Sequence, residues 1–163
     1  MSTIVIDVRE KVVYADTQGS INDRVFCGTV EVSKILYGKT KNVVLGGVGS
    51  YHDFVRYSGS GGVLPSVRTS STESILLRVE LIESQLLVTE YTKDKGLFSS
   101  RWKSRTFKPL TNYLVYGSGG KLALTALMIP DVTPMQALKA TSKVDVYTNS
   151  IIHTLPLGEY NDD

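Results

Sequence analysis

Met1-Ser-Thr-Ile-Val-Ile-Asp-Val-Arg-Glu-Lys-Val-Val-Tyr-Ala-Asp16 opens the chain and decides how the rest is read. Ile4, Val5, Ile6 and Val8, then Val12, Val13 and Tyr14, are β-branched or aromatic on both faces of two strands. That is the pattern of a hairpin buried in the middle of a layered fold, not one with a wet side. With Arg9-Glu10 as the turn, antiparallel pairing sets Val8 opposite Lys11, Thr3 opposite Asp16 and Ser2 opposite Thr17. Hydroxyls at the chain start then lie beside a carboxylate. An initiator methionine before a small residue such as Ser is generally removed, which would leave Ser2 with both a hydroxyl and a free α-amine. An amine of pKa about 7.7–8.0 can act as general base for its own side chain. On residue types alone the same stretch also fits an ordinary chain end with an ordinary strand-end aspartate.

Composition narrows the class. A chain of 163 residues, 42% hydrophobic and 21% charged, fits one compact domain spanning residues 1–163 with a sizeable core. A formal net charge of +2 commits it to neither nucleic acid nor membrane. The one cysteine, Cys27, cannot form an internal disulfide or a CxxC site. The apolar run after Met1 is short, lacks a basic leader and carries Asp7, so it does not read as a signal peptide. No run approaches the roughly 20 apolar residues of a membrane span. The expected location is the reducing cytoplasm.

Along the chain, 16–23 is a polar loop and Val25 to Tyr37 reads as strand. A turn at 38–42 leads into Val43-Val-Leu-Gly-Gly-Val-Gly-Ser50; with Tyr37 opposite Asn42, Lys34 falls opposite Leu45. Glycines at a strand end let a backbone N–H approach a ligand closely. Ser50 to Tyr57 opens a short helix, followed by a Gly, Ser and Pro rich loop to Ser71. Ser74 to Ile82 fits helix or strand. Gln85 to Thr92 and Leu97 to Phe107 form a hairpin whose second arm carries Arg101, Lys103 and Arg105 on one face. With Lys93, Lys95 and Lys108, and with Trp102, Phe98 and Phe107 interleaved, the 93–108 arm sketches a nucleic-acid-binding ribbon. A solvated strand face with its aromatics in the core is the simpler reading. Tyr113-Leu-Val-Tyr-Gly-Ser-Gly-Gly120 is strand and turn before a helix from Lys121 to Met128. Thr133-Pro134 caps another helix to about Lys143, and Val144 to Tyr147 and Ile151 to Leu155 return to strand. His52 and His153 lack metal-ligand spacing and receive no role.

Taken together, Ser2-Thr-Ile-Val, Val12-Val-Tyr-Ala-Asp16, Lys34, Leu45-Gly-Gly-Val-Gly-Ser-Tyr-His-Asp53, Tyr116-Gly-Ser-Gly-Gly120 and Asp145-Val-Tyr-Thr-Asn149 resemble the proteasome family of N-terminal-nucleophile hydrolases, in particular its bacterial HslV branch. The resemblance covers roughly the first 55 and last 50 residues. It implies an α+β, four-layer αββα sandwich of two antiparallel sheets, assembled in rings, with threonine-peptidase chemistry. Position by position, it puts Ser2 where the family has its nucleophilic Thr. Asp16 and Lys34 match the pair that tunes the nucleophile, Gly49 the oxyanion glycine, and Ser118 the serine of Gly-Ser-Gly-Gly. Ser142, Asp145 and Thr148 fall where HslV-like subunits hold a monovalent cation such as Na+ through backbone carbonyls. A homo-oligomer and an ATP-dependent unfoldase partner belong to the same implication.

The chain also departs from the pattern. Ser stands for Thr at the nucleophile, and the family's long helix pair after the glycine strand is cut short by Ser58-Gly-Ser-Gly-Gly62. Two function classes follow. One is an amide or peptide hydrolase acting through Ser2. The other is a catalytically inactive assembly or binding module, with nucleic acid as partner of the 93–108 arm.

Overall fold

The computed structural model describes residues 3–21, 24–25, 32–64, 74–95 and 100–158. Ser2, Cys27, Phe98, most of the Gly, Ser and Pro rich loop and the tail after Gly158 lie outside them. One sheet has four strands in the order β10 (Tyr113–Gly117), β1 (Thr3–Asp7), β2 (Val12–Asp16), β11 (Ile152–Pro156). A second has five, in the order β5 (Ile35–Tyr37), β6 (Val43–Val48), β7 (Ile75–Ile82), β8 (Gln85–Lys95), β9 (Ser100–Phe107). Every pairing in both is antiparallel. A short ribbon, β3 (Ser20–Ile21) with β4 (Arg24–Val25), stands apart from the two sheets. The helices are α1 (Tyr51–Gly59), α2 (Gly120–Leu127) and α3 (Pro134–Thr141).

The period-2 geometry of a strand explains how apolar runs build three layers of core. Ile4, Ile6, Val13 and Ala15 point between the sheets, where they meet Val44, Leu77, Val79 and Val88. Val5, on the opposite face of β1, packs under Ala123 and Leu127 of α2 and Ala137 and Leu138 of α3. On the far side of the second sheet, Leu45 and Leu76 are covered by Phe54 and Tyr57 of α1. The order is therefore α1, five strands, four strands, α2 with α3, the expected αββα sandwich. All five residues of β1 are buried, as the two-faced apolar pattern requires.

The first hairpin has the expected register: Ile4 pairs with Ala15 and Asp7 with Val12, which carries Thr3 to the level of Asp16. Three local expectations are corrected. The β5–β6 hairpin is shifted by two residues, with Leu36 rather than Lys34 opposite Leu45. The reason is that the turn closes one residue further along, with the Gly38 N–H donating to the Val43 carbonyl (2.8 Å) and Lys39 to Asn42 forming the loop. Lys34 moves up beside Gly47, whose N–H donates to its carbonyl (3.0 Å). Residues 144–147 are turn, not strand. There the Asp145 and Val144 N–H groups both close onto the Thr141 carbonyl, so the chain leaves α3 in a coil instead of extending. Finally, the strand read from Val25 to Tyr37 is, where described, β4 and β5 with non-strand residues 32–34 between.

Helix ends follow the sequence closely. Thr133 and Gln136 exchange side-chain and backbone bonds in a capping box, with Pro134 in the first turn. Ser50 caps α1 by accepting the Asp53 N–H (3.3 Å).

Candidate active site

The site forms where β1 begins. Asp16, at the end of β2, is wholly buried, and its carboxylate is a hub. One oxygen accepts the Thr3 N–H (2.8 Å). The other accepts Lys34 Nζ (3.0 Å), the Gln18 N–H (3.1 Å) and the Asn149 N–H (3.4 Å). A buried carboxylate is tolerable only with such saturation. Lys34 is itself buried, and burial pushes its ammonium below the ordinary lysine range; Asp16 opposes this without reversing it. The residue that follows Ser2 is thus bonded to the partner of a desolvated lysine.

A second set of groups surrounds the Thr3 side chain. Thr3 Oγ1 lies 2.8 Å from Thr148 Oγ1, and Thr148 Oγ1 donates to Asp145 Oδ2 (2.7 Å). Since a hydroxyl has one proton, and that of Thr148 goes to Asp145, Thr3 is the donor of the first bond. Ser118 Oγ donates to the same Asp145 oxygen (2.7 Å), and the Tyr147 N–H donates to the other (3.2 Å). Partial burial pushes the Asp145 carboxyl up, but the bonds from Thr148, Ser118 and Tyr147 outweigh it and hold the carboxyl below its usual range. The stability this supplies is complete above the unfolded carboxylate pKa of about 3.9 and is lost as pH falls through the lower folded value. An Asp145→Asn protein should therefore lose less stability than the parent between about pH 5 and pH 2, measured by urea unfolding at each pH.

Ser118, Asp145, Thr148, Asp16 and Lys34 are thus brought to one end of β1 and β2. Gly49 follows the last residue of β6 with φ of +95°, a conformation that side chains rarely adopt. It is tied to the cluster through the Gly47–Lys34 backbone bond. Ser142 stands aside, its hydroxyl donating to the Lys139 carbonyl (2.6 Å). The Asp145 carbonyl already accepts the Thr148 N–H (3.1 Å), so one of the three carbonyls offered to a monovalent cation is engaged. Among the described residues, no group of three or more His, Cys, Asp or Glu side chains could hold a metal ion.

Some participants escaped the sequence reading. Thr3 is only a register marker in the sequence, yet its hydroxyl joins the network. Asn149 seats the end of β2 by accepting from the Thr17 N–H (3.0 Å). Gly119 has no room for a side chain: a Cβ there would lie 2.2 Å from Thr3 Oγ1 and 2.5 Å from Thr141 Cγ2. Gly119→Ala should cost about 1–3 kcal/mol through overpacking and push the Thr3 end of β1 away, read as a lowered unfolding midpoint.

The basic arm is only partly as expected. Arg101, Lys103 and Arg105 are exposed and alternate along β9. Lys93 is not with them; its side chain is 4% exposed and ion-paired with Asp53. Trp102 packs with the α1-side core, and the Arg105 guanidinium covers the Phe107 ring at 4.7 Å. These aromatics are spent on packing, not presented for base stacking. No helix among the described residues is long and apolar enough to cross a membrane.

No protein-family model and no curated protein sequence matches the chain. Solved structures do. BPH from Thiobacillus denitrificans, in complex with epoxomicin, superposes with a TM-score of 0.64 at 12% identity, over 96% of this chain and 100% of that one. Eukaryotic HslV from Trypanosoma brucei gives 0.60 at 18% identity, over 93% and 97%. Anbu from Hyphomicrobium sp. strain MC1 gives 0.57 at 10%, over 94% and 80%. With two antiparallel sheets between helix layers and these neighbours along nearly its whole length, the chain has the fold of the proteasome-like N-terminal-nucleophile hydrolases.

Proposed function

We propose that the chain is an N-terminal-nucleophile amide or peptide hydrolase that uses Ser2 once Met1 has been removed. The observation that carries this reading is the buried Lys34–Asp16 pair bonded to the Thr3 N–H, one residue from Ser2. A lysine desolvated at that point needs a reason beyond packing, and charge tuning of an adjacent nucleophile supplies one.

The α-amine of Ser2 takes the proton from its own hydroxyl, directly or through one water, as Oγ attacks the substrate carbonyl. Charge that develops on the carbonyl oxygen is met by the Gly49 N–H, and the positive Lys34 favours the alkoxide form of Ser2. The tetrahedral intermediate collapses with the proton passing to the leaving amine, giving an ester on Ser2. Water, activated by the same α-amine, hydrolyses that ester and restores the hydroxyl. The Ser118–Asp145–Thr148 network holds the site rigid by locking the turn after α3 onto β1 and the start of α2. No step passes through a cation. Assembly of several copies belongs to the same reading, since α2 and the residue after it leave Leu122, Leu124 and Met128 uncovered.

The test is capture of Ser2 by an α′,β′-epoxyketone, which a hydroxyl and an α-amine on one residue together close into a ring. A stable adduct on the N-terminal peptide, seen by mass spectrometry and absent from an acetylated chain, is the expected result. Equal labelling with the amine blocked, or none at all with a free amine, would sink it.

A further inference from the structure

A second buried ion pair lies on the α1 side of the five-stranded sheet, outside the cluster around Thr3. Lys93 Nζ of β8 is 2.5 Å from Asp53 Oδ2, with side chains 4% and 6% exposed. Ser74, just before β7, donates its hydroxyl to the same carboxylate oxygen (2.7 Å), and the Lys93 ammonium sits 5.2 Å from the centre of the Trp102 ring. Apolar side chains could fill such a space without the cost of desolvating two charges. What a charged pair adds is a directed constraint. Here it falls on the first turn of α1, where the N–H groups of Asp53 and Phe54 close onto the hydroxyl and the carbonyl of Ser50 (3.3 Å each).

Ser50 follows Gly49, so this turn fixes the chain immediately after the glycine. The chain before it is fixed too. The Gly47 N–H is held by the Lys34 carbonyl, and a Cβ on Gly47 would come within 2.9 Å of Phe54. The positive φ of Gly49 is thus held between two anchored points. Resting on the hydrolase reading above, we propose that Asp53, Lys93 and Ser74 are positioning residues. Through the first turn of α1 they aim the Gly49 N–H at the carbonyl oxygen of an amide substrate.

The test compares the full chain, Met1 removed, with Lys93→Met and with the milder Ser74→Ala. Amide exchange at Phe54, followed by NMR, needs no turnover. It should accelerate by at least about tenfold in Lys93→Met and less in Ser74→Ala, with the β1 and β2 amides unchanged. Hydrolysis of a peptide amide should fall in kcat by about 10²-fold in Lys93→Met, with KM within about twofold. Phe54 exchange equal to the parent in both variants, acceleration spread evenly over β1 and β2, or an unchanged kcat would overturn the proposal. Phe54 exchange that accelerates in the variants as expected, in a chain whose parent cleaves no amide, keeps the clamp and removes the hydrolase reading instead.

Discussion

An Asp16→Ala protein is expected to lose about 3–5 kcal/mol of folding stability, a large share of what a domain of this size has. The substitution strands the Lys34 ammonium in a buried place with its closest counter-charge gone. It also takes the acceptor from the Thr3, Gln18 and Asn149 N–H groups. Each of those N–H groups faces its own desolvation cost. Adding Lys34→Met should recover part of the loss, because it removes the orphaned charge but not the orphaned N–H groups. Urea unfolding of the two variants and the parent measures both effects. A loss below about 1 kcal/mol in the single variant would mean that the pair does not hold the β1 end as described.

Ser2→Ala is expected to lower amide hydrolysis by at least about 10³-fold while leaving the unfolding midpoint unchanged. The alanine keeps the α-amine, the Lys34–Asp16 pair and the Gly49 turn, so whatever rate remains reports binding and oxyanion stabilisation alone. Ser2→Thr should stay active, since it keeps the hydroxyl and adds a methyl that restricts its rotamers. Steady-state rates on one peptide amide for all three chains separate these effects. Activity in Ser2→Ala comparable to the parent would move the nucleophile elsewhere.

Much of this architecture was readable in the chain because the signals were strong where they mattered. A strand such as Thr3-Ile-Val-Ile-Asp7, apolar on both faces, has to lie between two layers, and the hairpin that follows has a register set by its own short turn. Thr133-Pro-Met-Gln136 carries a capping box in its letters. What stayed hidden depends on contacts distant in sequence. The two-residue shift of Lys34 keeps every side chain on its face, so no hydrophobic pattern could detect it. Residues 144–147 have strand-like letters, yet Asp145 is drawn into a turn by partners at 118 and 148. Lys93 belongs to a basic run in sequence and to Asp53 in space, forty residues away. Gly119 reads as one glycine among several, and only the arrival of Thr3 and Thr141 makes it indispensable.

The central claim is that the base of the reaction is the α-amine of Ser2, and the intact mass of the protein purified from its own host tests it most directly. The expected mass is that of the chain without Met1, leaving the hydroxyl and the free amine on one residue. Methionine retained on every copy would contradict it, because the nitrogen of Ser2 would then be locked in a peptide bond and unable to take a proton.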